Sequence, residues 1–230
     1  MLELQHSANA TFKEHSLQQL DFQLRPVFDQ RLAQRQILLL GINPGWDSIK
    51  MGPHRLDEQV RAAYGCAMSQ DIENLGADNG YIMRYIEFIR MVWGESASIA
   101  KAQDTFYLNM CLFGSPSTAK KNMHRPFRLC RDIVYRIFSR VSPRIVFTHG
   151  AVWDYFWREW GIPNDFSRCE LRLSSKKRAY CCSARDAVVG ETPIPLLICV
   201  PHWHAASIHL SDDHLRKAAE FVKNELAKTI

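Results

Sequence analysis

Four short apolar runs constrain this chain more than any other feature: "ILLL" (37–40), "TFYLN" (105–109), "RIVFT" (144–148) and "PLLICV" (195–200). Each is rich in leucine, β-branched or aromatic residues, and all but the second abut Gly, Pro or His, as expected of strands buried on both faces. Between and around them, apolar residues recur at helical spacing over 57–69, 79–93, 124–141, 150–160 and 212–228. Doubly buried strands separated by helices predict an α/β fold, a three-layer α/β/α sandwich with a central, mainly parallel four-stranded sheet. Ligands of such sheets bind beyond the carboxyl ends of the strands. The loops after the four runs are therefore where chemistry is expected.

The 230 residues suit one domain, and no repeat, linker or shift in apolar content marks a boundary. Residues 1–230 are read as one unit, with 1–35 an N-terminal helical extension whose helical pattern over 11–34 breaks near Pro26. A net charge of +5 fits a polyanionic partner without approaching the density of a histone-like binder. The seven cysteines are odd in number and form no Cys-x-x-Cys pair, which suits reduced thiols in a cytoplasmic setting. "MLELQHSANATFKEHS" lacks the basic and apolar stretches of a signal peptide, and no apolar run is long enough to span a bilayer. The expectation is a cytoplasmic monomer without membrane contact.

Every expected carboxyl end carries polar residues: "GINPG" after the first run, Asn109 and "MCLFGSPSTAKKN" after the second, "THGAVW" at the third and "PHWHAASIH" after the fourth. Neither a P-loop nor G-x-G-x-x-G occurs in "GINPGWDS", so the common nucleotide-binding loops are excluded there. Asn43 before proline is biased to extended backbone, Pro44 has a fixed φ, and Gly45 reaches conformations closed to other residues. The loop is stiff. Taken alone, Asn-Pro-Gly also fits a plain strand-ending turn.

Together these segments resemble the uracil-DNA glycosylase superfamily. "LLLGINPG" is similar to its first motif in the mismatch-specific and single-strand-selective branches, which carry Gly-x-Asn-Pro-Gly after the first strand. "FYLNMCLF" resembles the segment that supplies a base-recognising asparagine. "VFTHGAVW" resembles the strand-Gly-helix segment after the third strand, and "VPHWHAAS" the second catalytic motif, His-Pro-Ser-x-x-Ser/Asn. The resemblance runs from about residue 36 to 228. It implies a cofactor-free hydrolase that removes uracil or a related damaged pyrimidine from DNA. It also implies Asn43, His202 and Asp47 as catalytic residues and Gly41, Ile42, Gly45, Trp46, His54 and Asn109 around the base. Ser207, His204, Lys120, Lys121 and Arg125 would contact DNA.

The chemistry suits those residue types. N-glycosidic cleavage passes through an oxocarbenium-like sugar and an anionic departing base, so both charges need stabilising. An amide at Asn109 offers one donor and one acceptor to a uracil-type edge and leaves cytosine mispaired. His202 can donate to the base carbonyl as it becomes anionic, helped by backbone N–H groups of residues 41–45, while Asn43 holds the water. The base must first leave the stack.

The sequence also departs from that pattern. The most active branch has aspartate where this chain has Asn43, leaving Asp47 as the nearby carboxylate. His54, or Trp46, stands for the usual stacking aromatic. "HWHAAS" places Trp203 and His204 where proline and serine are expected, and Ala206 at the position of a duplex wedge, a role left to Ile208 or His209 unless single strands are preferred. These departures leave open a rival expectation, a weak or inactive member that binds nucleic acid or a free base. A small-molecule hydrolase would want a G-x-S-x-G elbow, which is missing. No metal is expected, since His202 and His204 have neither an acidic partner at helical spacing nor a nearby Cys pair, and the paired cysteines of iron–sulfur branches are lacking. Trp153, Trp157 and Trp160 read as core packing at helical spacing. "SSKKR" (174–178) reads either as the turn of a hairpin insertion or as a DNA contact.

Overall fold

A computed structural model describes residues 36–41, 80–110, 124–149, 152–161, 166–175, 177–202 and 210–228. The helical patterns expected over 11–34 and 57–69 lie outside these residues. In chain order the elements are β1 (Ile37–Gly41), α1 (Gly80–Trp93), α2 (Glu95–Gln103), β2 (Thr105–Asn109), α3 (His124–Val141) and β3 (Ile145–His149). They continue with α4 (Val152–Trp160), β4 (Phe166–Arg172), β5 (Arg178–Val189), β6 (Thr192–Val200) and α5 (Asp212–Ala227).

The fold is mixed α/β. One sheet runs in the order β2-β1-β3-β6-β5-β4. The first four strands are mutually parallel, whereas β5 pairs antiparallel with both β6 and β4. The four expected strands form the parallel part, but the expected count of four is corrected to six among the described residues. The difference is the hairpin β4–β5, whose turn is the "SSKKR" stretch: Leu173 and Ser174 donate to the Lys177 carbonyl at 3.0 and 3.1 Å, and Arg178 meets Glu170 at 3.3 Å.

Residue alternation along each strand divides the interior in two. Leu38, Leu40, Val146 and Leu197 join α3 and α4 residues such as Phe138 and Phe156 on one face. Ile37, Leu39, Phe147 and Ile198 join Phe88 of α1 and Val222 of α5 on the other. Phe147 is fully buried and meets Phe88 and Trp93 edge-on at 6.1 and 6.2 Å between centroids. Burying one such ring contributes about 2–3 kcal/mol.

Local sequence explains the element ends. Gly94, at φ 83°, closes α1, and its N–H bonds the Arg90 carbonyl at 2.8 Å, a geometry that other residues adopt only with strain. Strand β6 starts three residues earlier than the sequence suggests, and it includes Pro193 and Pro195. The ladder to β3 begins only at Leu196, so neither proline is asked for an N–H on that side. Strand β3 also extends one residue beyond expectation, to His149.

The tryptophans of α4 divide. Trp153 and Trp160 pack against the core, but Trp157 is 42% exposed and rests on Phe166 at 5.8 Å, which corrects the reading of all three as core. Among the described residues no helix is long and apolar enough to cross a membrane.

Candidate functional site

The parallel strands end at one level. Gly41 of β1 is in register with Asn109 of β2, and the Met110 N–H donates to the Gly41 carbonyl at 2.9 Å, so the two ends are tied together. Leu40 is in register with Thr148, which puts Gly41 level with His149, and His149 is in register with Val200 of β6. Asn109, Gly41, His149 and Val200 thus line one edge. His202 follows two residues after Val200.

This edge includes a topological switch. The chain leaves β1 through α1 on one face of the sheet and leaves β3 for α4 on the opposite face. In sheets of this kind, a switch point such as the one between the ends of β1 and β3 is the position favoured for a ligand crevice. Gly41 and His149 are the strand residues that flank it.

His149, which the sequence does not single out, stands at this edge. It appears in the sequence as part of a strand-Gly-helix segment, one polar residue ending an apolar run, with no spacing to distinguish it from an ordinary loop residue. Its position before a glycine, at the end of a run read as a central parallel strand, is the one signal that could have singled it out. In the fold it is 5% exposed, and its ring stands perpendicular to that of His202, with centroids 4.5 Å apart and an 84° angle between planes. His202 is half-buried. Burial, and secondarily the positive charge of His202, lowers the His149 pKa to about 3. His149 is therefore a neutral imidazole near pH 7.

The surrounding groups are poor nucleophiles. Burial pushes the thiols of Cys181 and Cys199 well above their usual range, and the Thr148 hydroxyl donates to the Ile198 carbonyl at 3.3 Å. Among the described residues no group of three or more His, Cys, Asp or Glu is placed to hold a metal ion. The chemistry available at the described edge is hydrogen bonding and proton donation from imidazole, alongside the backbone of the strand ends.

Of the residues expected at the site, Gly41 and His202 lie at this edge, with Asn109 contributing its strand position. Arg125 falls in the first turn of α3. Ile42, Asn43, Gly45, Trp46, Asp47, His54, Lys120, Lys121, His204 and Ser207 lie outside the described residues. Neither protein-family models nor curated proteins give a match to this chain.

Proposed function

We infer that the protein is a uracil-DNA-glycosylase-type hydrolase acting on uracil or a related damaged pyrimidine in DNA. One observation carries the reading: Asn109, Gly41 and, just beyond β6, His202 belong to a single carboxyl edge of parallel strands, in the spatial order β2-β1-β3-β6. Three strand spacings separate β2 from β6, about 14 Å. The same reading takes residues 1–230 as one domain, a three-layer α/β/α sandwich, acting as a cytoplasmic monomer without cofactor. Helices on both faces of the sheet support the layering.

In the proposed reaction the bond between the sugar C1′ and the base nitrogen breaks, and its electron pair leaves with the base. His202 donates a hydrogen bond to the carbonyl where that charge collects, and Asn109 reads the base edge. A water held by the Asn43 side-chain carbonyl adds to C1′, and its released proton balances the charge of the base. An amide cannot accept that proton as a carboxylate does. Stabilisation of the leaving group is then the main source of rate, and turnover is slow.

Two sequence features favour a second reading, a weak or inactive relative that binds nucleic acid or a free base: Asn43 where the fastest enzymes carry aspartate, and the altered "HWHAAS" segment. Incubation with uracil-containing single- and double-stranded oligonucleotides, followed by alkaline cleavage of abasic sites, separates the two. The wild type is expected to cut at least about 100-fold faster than His202→Ala, the size of effect seen when one donor to a developing anion is removed. Scission no greater than the variant's across a panel of damaged bases, with binding retained, would establish the second reading. Cutting confined to single strands would agree with Ala206 at the wedge position.

A further inference from the structure

His149 is left without a role in the reaction proposed above, although it flanks the crevice between β1 and β3. Its main chain belongs to a central strand paired on both sides, β3 against β1 and against β6. The residue is 5% exposed, and alternation puts its side chain on the same face as fully buried Phe147. Its ring is therefore fixed by a rigid element. His202 has a different footing: it stands two residues beyond the end of β6, outside the ladder and half-buried. The described contact between the two is the perpendicular ring packing at 4.5 Å, within the range of edge-to-face aromatic pairs.

We propose that His149 is a positioning residue, whose ring, anchored in β3, holds the His202 imidazole in one orientation at the crevice between β1 and β3. The consequence for catalysis rests on the glycosylase reading; the positioning does not. An edge-to-face contact fixes the plane of the second ring and leaves its outer edge available to a ligand. The charge pattern supports this division of labour. Burial keeps His149 neutral near pH 7, so its packing against His202 brings no repulsion between two charged rings.

Magnetic resonance of the full chain, labelled at histidine, reads the contact directly. In the wild type, cross-relaxation is expected between the ring protons of His149 and His202, and the His202 ring signals are displaced by the ring current of His149. Lack of that cross-relaxation in the folded protein overturns the proposal whatever the activity. His149→Phe keeps a ring in the same strand and should retain the displacement; His149→Ala should abolish it. On a uracil-containing oligonucleotide, His149→Ala is expected to lose about 10-fold or more in kcat, with KM changing less than about 2-fold, and His149→Phe to recover most of the loss. Wild-type kcat in His149→Ala overturns the proposal. Should His149→Ala fail to fold, the wild-type cross-relaxation and the His149→Phe kinetics decide. Should the wild type cut nothing, the glycosylase reading fails, and the ring signals alone decide whether His149 positions His202.

Discussion

A histidine buried at a strand end makes its own stability prediction. Unfolded, the His149 imidazole titrates near 6.5; folded, burial and the neighbouring His202 charge lower this to about 3. Between those values the unfolded chain binds a proton that the native state refuses. Stability is therefore constant with respect to this group above pH 7 and is lost as pH falls from about 6.5 toward 3. The expected loss between pH 7 and pH 4.5 is about 2.5 kcal/mol. Urea unfolding of the wild type and His149→Phe at both pH values checks this: the variant should lack that share of the decline. A parallel decline in both proteins would show that the imidazole titrates normally in the fold. The residue scale is also where the sequence is least informative. His202 is legible because it sits in a cluster, "HWHAAS", with chemical character. His149 is one polar residue at the end of an apolar run, and what distinguishes it is a partner 53 positions away, brought close by the β3–β6 register.

Elements were legible where burial is two-sided or a cap is explicit. The four parallel strands appear as continuous apolar runs because both of their faces are covered, and α3 is found at its expected bounds because its apolar residues keep helical spacing. β4 and β5 were not found as strands. "FSRCELR" carries charges and buries only Leu171 fully, and "RAYCCSARDAVV" mixes Arg and Asp into its run, so each resembles a solvated connection more than a strand. Edge strand β4 tolerates that composition because its alternate residues face water, whereas β5 is an inner strand, buried on both faces over Cys181–Ala184, whose small and polar residues hide it in the sequence. Helix α5 shows the opposite case, with its start written into the sequence "SDDH". Ser211 accepts from the His214 N–H at 3.4 Å, and the Ser211 N–H donates to His214 Nδ1 at 3.2 Å, a reciprocal cap with His214 in the place usually taken by Glu or Gln. Asp212 and Asp213 add negative charge where the helix dipole is positive. Ser211→Ala should destabilise the protein by about 1 kcal/mol, read as a lower urea midpoint at unchanged slope. No change in midpoint would mean that His214 and the two aspartates cap the helix unaided.

At the scale of the whole molecule, the proposed site requires DNA to approach the carboxyl edge of the sheet, and the charge of α3 offers a way to test that direction. Arg128, Arg131, Arg136 and Arg140 are exposed on this helix, and Asp132 is its one acidic residue, 3.9 Å from Arg131. The chain as a whole carries 29 basic and 24 acidic side chains, so this surface is far more basic than average. The helix follows the end of β2 and returns through residues 142–144 to the start of β3, where the Arg144 N–H donates to the Gln36 carbonyl at 3.0 Å. It therefore runs antiparallel to the strands, with Arg128 nearer the carboxyl edge and Arg140 nearer the opposite one. Twelve residues of helix separate them, about 18 Å along the axis. The screening length is about 10 Å at 0.1 M salt, so a phosphate bound at the carboxyl edge feels Arg128 and hardly feels Arg140. Binding to an oligonucleotide, followed as a function of salt, should lose about one unit of slope in Arg128→Ala and keep the wild-type slope in Arg140→Ala. If the two variants weaken binding equally, DNA lies along the length of α3 instead of at the strand ends. If Arg140→Ala alone weakens it, DNA binds at the amino edge, and the proposed glycosylase site cannot lie at the carboxyl edge that Asn109, Gly41 and His202 share.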